Sequence, residues 1–256
     1  MAIDLFSIGK FTVHGYGLMI AIGFLAAITY GTWQAKKLKL NEDALYNLAI
    51  FVLLFGWLGG KILFCIVEIK DFIKSPLAVL GSEGFVVYGG ILSGILTIVI
   101  YCKIKKLDFF SYIDVIATAT PINQALGRVG CFLAGCCYGR ETTSHFGVVF
   151  PEGCMAPAGV KLLPTQLFSA AGDFLLFIVL FILINKKQKR GTCTAVYLIG
   201  YSIGRFIVEI FRNDARGTVG SLSTSQFISL FMLVGGIVVF YLTRKLKDKN
   251  IENTDN

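Results

Sequence analysis

Seven apolar runs of membrane-spanning length recur along the 256 residues, and they restrict the fold more than any other feature. They cover about 14–33, 45–67, 85–102, 111–133, 167–184, 193–211 and 227–242. A helix needs about 20 mostly apolar residues to cross a bilayer, so the pattern predicts an all-α polytopic membrane protein with seven transmembrane helices. Composition agrees: 55% of residues are hydrophobic, against about 45–50% in soluble domains.

The formal charge of +8 raises the question of nucleic acid, but the bases form no surface patch that would suit it. They cluster directly after apolar runs: Lys36, Lys37 and Lys39; Lys103, Lys105 and Lys106; Lys186, Lys187, Lys189 and Arg190; Arg244, Lys245, Lys247 and Lys249. With seven spans these clusters follow spans one, three, five and seven and share one side. The positive-inside rule makes that side the cytoplasm, with the N-terminus outside and the C-terminus inside. The opposite loops hold only scattered bases: Lys10, Lys70, Lys74, Lys161 and Arg216.

Residues 1–10 lack a basic n-region and a small-residue cleavage site, so the first span reads as retained rather than cleaved. We expect one integral-membrane domain over 1–249, an external loop at about 136–166, and a polar, disordered tail at 250–256. The loop's length without periodicity suggests a binding loop. No internal repeat or second domain is evident.

Chemistry concentrates in residues 127–142, where Gly127, Gly130, Gly135 and Gly139 surround Arg128, Cys131, Cys136, Cys137 and Arg140. An arginine at the end of a membrane run is a functional candidate by default, and glycines permit turns and close approach. In the sixth run, Arg205, Glu209 and Arg212 fall on one helical stripe. Arg205 stands about 20 Å along the helix from Arg190, past mid-bilayer. A purely structural Arg205–Glu209 pair is the plain alternative, but the arginines outnumber the glutamate and buried charge is expensive. Arg128 heads for the same outer half. Three arginines with one or two acids predict a positive pocket, and the guanidinium fork suits a lipid phosphate.

Tyr16 and Tyr88 open spans at the same outer level, where tyrosines also serve as interfacial anchors. Gln166 begins the fifth span and could equally bond a neighbouring helix. The seven cysteines are odd in number. Without a C-x2-C knuckle no metal site is expected. A disulfide from Cys154 to Cys136 or Cys137 is the favoured use in an oxidising compartment. Vicinal Cys136 and Cys137 could also be redox-active, and Cys65, Cys102 and Cys193 read as packing residues. Gly56-Trp57-Leu58-Gly59-Gly60-Lys61 is too short for a P-loop and lies in a membrane run.

Several motifs together resemble the prolipoprotein diacylglyceryl transferase family over nearly the whole chain. Most specific is Tyr197-Leu198-Ile199-Gly200-Tyr201 through Arg205-Phe206-Ile207-Val208-Glu209-Ile210-Phe211-Arg212. Tyr16-Gly17-Leu18-Met19, Gly89-Gly90, Gly127-Arg128-x-Gly130, Gly139-Arg140 and Pro164-Thr165-Gln166-Leu167 match in the same order. The resemblance implies seven spans in a bacterial plasma (inner) membrane. It also implies transfer of a diacylglyceryl group from phosphatidylglycerol to the lipobox cysteine thiol of preprolipoproteins, releasing glycerol 1-phosphate. Implied partners are that lipid, preprolipoprotein signal peptides and membrane lipids; no nucleic acid and no cofactor is implied.

On the same grounds Arg128 and Arg205 would hold the lipid phosphate as catalytic residues. Tyr88 would take the proton, standing where the family usually carries histidine. Tyr16, Gly89, Gly90, Cys131, Gly139, Arg140, Gln166, Glu209 and Arg212 would bind substrate. The chain departs from the pattern at Tyr88, at Cys131 (usually asparagine), at Cys136 (often acidic) and at Leu163 (usually histidine). Displacement at the glycerol carbon needs a thiolate and a neutralised leaving phosphate, both of which a cationic pocket favours. A related enzyme with another acceptor and a non-enzymatic lipid-binding or transport protein are the alternatives.

Overall fold

The structure is a computed structural model that describes residues 4–8, 11–82, 84–186, 188–214 and 217–245. The expected disordered tail at 250–256 lies outside the described residues.

The chain is mostly helical, in the order β1 (Asp4–Ile8), β2 (Phe11–His14), α1 (Gly15–Lys37), α2 (Glu42–Val67), α3 (Ile69–Lys74), α4 (Pro76–Gly81), α5 (Val87–Ile104) and α6 (Phe109–Ala134). There follow β3 (Val148–Val149), β4 (Lys161–Leu162), α7 (Thr165–Ile184), α8 (Thr192–Phe211), β5 (Thr218–Val219), β6 (Leu222–Ser223) and α9 (Thr224–Lys245). The helical architecture agrees with the all-α expectation, and three short two-stranded antiparallel pairs, β1–β2, β3–β4 and β5–β6, accompany the helices. Strands this short are local ties between helix ends.

Among the described residues, α1, α2, α5, α7, α8 and α9 are long and apolar enough to cross a membrane. At most 22% of each apolar window is buried inside the structure. Leu25, Trp57, Leu92, Leu175 and Phe231 instead stand outward, as lipid rather than water requires. The sixth helix is long enough too, at 26 residues, but it carries Asp114, Asn123, Gln124 and Arg128.

Two compact units divide the chain, residues 32–113 in one and residues 1–31 with 114–256 in the other. In the first, α2 and α5 approach through glycine. A Cβ on Gly90 would lie 3.1 Å from the Gly56 carbonyl oxygen, and one on Gly59 would lie 2.8 Å from that of Gly89. Small residues bring membrane helices to backbone contact where hydrophobic drive between them is absent. Lys61 is buried on α2, its Nζ donating to the carbonyls of Ser82 (2.6 Å) and Gly84 (3.2 Å). The 56–61 segment is thus a packing face.

In the second unit Asp114 caps a neighbouring helix. Its Oδ2 accepts from the Gly191 N–H at 2.6 Å, and its Oδ1 accepts from the Thr194 N–H at 2.7 Å and hydroxyl at 2.6 Å. These satisfy donors that the first turn of α8 leaves unpaired. At the other end of α6, Gly130 permits close approach to α1: a Cβ there would lie 3.2 Å from the Tyr16 carbonyl oxygen.

Candidate active site

The stripe expected on α8 exists. Arg205 Nη2 lies 3.1 Å from Glu209 Oε2, and Arg212 Nη1 lies 3.8 Å from the same oxygen. The ion-pair alternative is therefore present in the fold, yet it leaves charge over. Ser223 Oγ donates to Glu209 Oε1 at 2.7 Å, and Arg205 Nη2 donates to Ser225 Oγ at 2.8 Å, so β6 fixes Glu209 and the start of α9 fixes Arg205. Arg205 Nη1 is buried with no hydrogen-bond acceptor.

Arg212 has a different job. Its Nε and Nη2 grip Asp214 at 3.0 and 2.8 Å, a bidentate pair that absorbs its charge. Glu209 and Asp214 together leave one positive charge over from the three arginines, and Arg128 carries it.

Arg128 and Arg205 line a cavity of ≈ 70 Å³ that is open to the outside, together with Asp173, Ser169, Tyr201 and Gly204. Among the described residues Arg128 forms no ion pair. Asp173 is buried at 8% exposure on α7. The cavity therefore joins two guanidiniums with spare donors to one carboxylate. Donors held in low dielectric act strongly on an anion because they need no reorganisation.

Beyond Arg128, local sequence sets where the chain goes when α6 ends. The C-terminus of α6 closes as a Schellman turn: Gly135 N–H donates to Phe132 O at 3.2 Å and Cys136 N–H to Cys131 O at 3.1 Å. The turn needs a left-handed residue, supplied by Gly135 at φ +69°. It folds Cys136 back toward Cys131, and Cys137 holds a left-handed φ of 60°. Chain 138–142 then ties to two other segments. Gly139 N–H donates to Leu163 O at 2.9 Å, Arg140 N–H to Phe211 O at 2.9 Å and Thr142 N–H to Lys161 O at 2.9 Å. Gly139 is the point where no side chain fits, since a Cβ would lie 2.7 Å from Leu163 O and 2.8 Å from Thr165 Cγ2.

The start of α7 completes the clasp: Thr165 Oγ1 donates to Cys137 O at 2.8 Å and Gln166 Nε2 to Cys136 O at 2.6 Å. Beyond the clasp, Phe150, Ala156 and Leu162 form a small core joined by Cys154. The loop expected at about 136–166 thus has a small core of its own. All seven cysteines are free thiols, so no disulfide links Cys154 to Cys136 or Cys137. Instead the Sγ atoms of Cys131, Cys136 and Cys137 lie within 4.8 Å of one another. Hydrogen bonds from the Cys131 and Cys136 thiols hold the Cys137 thiol below its ordinary pKa, with Arg212 and Arg128 reinforcing them. The same sharing, first with Cys131 and then with Cys137, pushes Cys136 up.

The remaining sequence candidates are spread more widely. Tyr16 is 44% exposed at the start of α1. Arg140 has an exposed side chain and acts through its backbone. Tyr88, Gly89 and Gly90 belong to the other unit, where both glycines pack on α2. Sequence reasoning missed Asp173, Asp214 and Thr165. Asp173 had a signal: it is the one carboxylate inside the apolar run 167–184, and such a residue is functional by default.

These features define a class: a multi-pass helical membrane protein with an arginine-lined cavity suited to an anionic headgroup. The sequence profile of the prolipoprotein diacylglyceryl transferase family matches residues 4–242. A phosphatidylglycerol–prolipoprotein diacylglyceryl transferase of Clostridium tetani is 45% identical over 94% of this chain and 97% of its own. Two such proteins of Clostridium perfringens are 44% identical over 97% and 98%, and 33% identical over 93% and 92%. The chain belongs to the prolipoprotein diacylglyceryl transferase family.

Proposed function

We propose that this protein transfers the diacylglyceryl group of phosphatidylglycerol to the lipobox cysteine thiol of preprolipoproteins, releasing glycerol 1-phosphate. The observation that carries this reading is the cavity in which Arg128 and Arg205 meet with donor capacity to spare. Glu209, Arg212 and Asp214 hold Arg205 and the end of α8 in place.

In the reaction the thiol sulfur attacks the glycerol carbon bonded to the phosphate oxygen. A C–S bond forms, the C–O bond breaks, and the bonding pair leaves with the phosphate. The phosphodiester monoanion becomes a phosphomonoester with further negative charge. Guanidiniums fixed beside the phosphate therefore bind the transition state more tightly than the ground state, which is the condition for catalysis. The thiol proton goes to a base. Tyr88 holds the position that the family resemblance assigns to this role, and Asp173 is favoured by its place in the cavity wall with both arginines.

Tyr16, Gly89, Gly90, Cys131, Gly139, Arg140 and Gln166 complete the proposed substrate site. Gly139, Gln166 and the Arg140 backbone act by tying the chain after α6 to the start of α7 and the end of α8. The helix α6 is proposed as a seventh crossing, its polar residues facing the bundle. The basic residues ending α1, α5 and α9 and following α7 then lie in the cytoplasm, in a bacterial plasma membrane, with the site toward the outer leaflet.

A purified-protein assay tests this reading. Phosphatidylglycerol and a lipobox peptide are mixed in detergent, and glycerol phosphate release is followed beside the peptide mass. The expected result is release with a diacylglyceryl mass gain, both lost in Arg205→Ala. Release without peptide modification points to another acceptor. Lipid binding without release overturns the assignment.

A further inference from the structure

The Cys131, Cys136 and Cys137 cluster lies at the end of α6, the helix of Arg128; Cys131 belongs to the proposed substrate site, and none of the three thiols takes a bond-making or proton-transfer step above. We propose that these three thiols form a binding site for one thiophilic d10 cation, of which zinc is the type.

Geometry is the first support. The three sulfurs lie within 4.8 Å of one another. Sulfurs around a tetrahedral zinc with Zn–S of about 2.3 Å stand about 3.8 Å apart, so closing onto a metal takes shifts of about 1 Å or less. The approach follows from the backbone. A Schellman turn brings the residue after the left-handed glycine back over the last helical turn, where an apolar contact is usual. Here Cys131 and Cys136 occupy those two positions.

Pre-organisation is the second. Cys137 sits at a left-handed φ of 60°, a conformation that disfavours ordinary side chains. The carbonyls of Cys136 and Cys137 are clasped at 2.6 and 2.8 Å by Gln166 and Thr165. Metal ligands commonly depend on such a supporting layer. Gln166 Oε1, on the amide that clasps Cys136, is buried with no hydrogen-bond partner, an acceptor left open beside the clasp.

Charge is the third. Three thiolates around a divalent cation carry −1, a charge that Arg128, one turn from Cys131 on α6, offsets. The cluster also lies at the C-terminal end of α6, where the helix dipole favours a cation. Binding forms three metal–sulfur bonds and sends the displaced thiol protons to solvent.

The full chain in detergent, stripped with a chelator and kept reduced, is titrated with Cd²⁺, and thiolate-to-metal charge-transfer absorption is followed. Zn²⁺ is then added in competition. One equivalent with three-thiolate intensity is expected, displaced by Zn²⁺, and unchanged in Cys65→Ser. Cys137→Ser should lower the affinity by at least about 10-fold and reduce the intensity. Should that variant not fold, the wild-type protein is alkylated with and without Cd²⁺ and its cysteine peptides weighed. Protection confined to Cys131, Cys136 and Cys137 supports the site. Equal alkylation in both samples, or a disulfide among the three in the protein as purified, overturns it.

Discussion

The two units use glycine in different ways. In the 32–113 unit, Gly56, Gly59, Gly89 and Gly90 strip side chains from a helix contact, so that α2 and α5 meet backbone to backbone. In the other unit, Gly135 supplies a left-handed turn and Gly139 lets the chain thread between Leu163 and Thr165. The first use sets a helix separation. The second sets where a chain goes after its helix ends, and so where Arg128, the thiols and the α7 start come together. Glycine next to a candidate site is therefore weak evidence for ligand contact until its neighbours are known.

The sharpest way to break this contrast is to ask which unit takes the thiol proton. Asp173→Asn should reduce turnover by about 10²–10⁴-fold, the range for loss of a general base. Tyr88→Phe should reduce it by less than about 10-fold on the same argument. Steady-state rates of glycerol phosphate release decide it. The reverse order would move the proton acceptor to the unit of α2 and α5.

Next in size, alanine at either kind of glycine should cost about 1–3 kcal/mol through overpacking. Gly139→Ala, whose Cβ would meet Leu163 and Thr165, should lower both the melting temperature and the turnover of folded protein. Gly59→Ala should lower melting, leaving turnover per folded molecule within about twofold if its role is packing alone. Thermal melting in detergent beside specific activity separates the two effects.

Much of this arrangement was legible in the sequence for identifiable reasons. The apolar runs are long enough to stand out, and their predicted ends fall within a few residues of the observed helices. Arg205, Glu209 and Arg212 share a stripe because helical spacing is local. What escaped is non-local or short. Asp214 pairs with Arg212 across a helix end, which no periodicity announces. The three sulfurs meet through a capping turn rather than a metal-knuckle spacing, and the 138–142 segment is fixed by hydrogen bonds to residues far along the chain. The strand pairs and α3 and α4 are too short to give a pattern.

Smaller effects follow at the helix ends. Asp114→Ala removes the acceptor for Gly191 and Thr194 and should cost about 0.5–2 kcal/mol, as for other helix caps. Its melting temperature should fall with turnover of the folded fraction kept. Smallest of all, Gly235 on α9 has nothing within 4 Å of a built Cβ, so Gly235→Ala should stabilise by about 0.5–1 kcal/mol. A melting temperature that falls instead would show that α9 packs there more closely than the structure has it.

The central claim is that Arg128 and Arg205 hold one phosphate together. A double-mutant cycle on transfer rate tests it most directly, with Arg128→Ala, Arg205→Ala and the double variant assayed against phosphatidylglycerol and a lipobox peptide. Each single change should cost about 10²–10³-fold. The double should fall well short of the product of the two losses, because groups acting on one ligand are not additive. Losses that multiply in full, or a single variant that keeps the wild-type rate, would contradict the shared phosphate site.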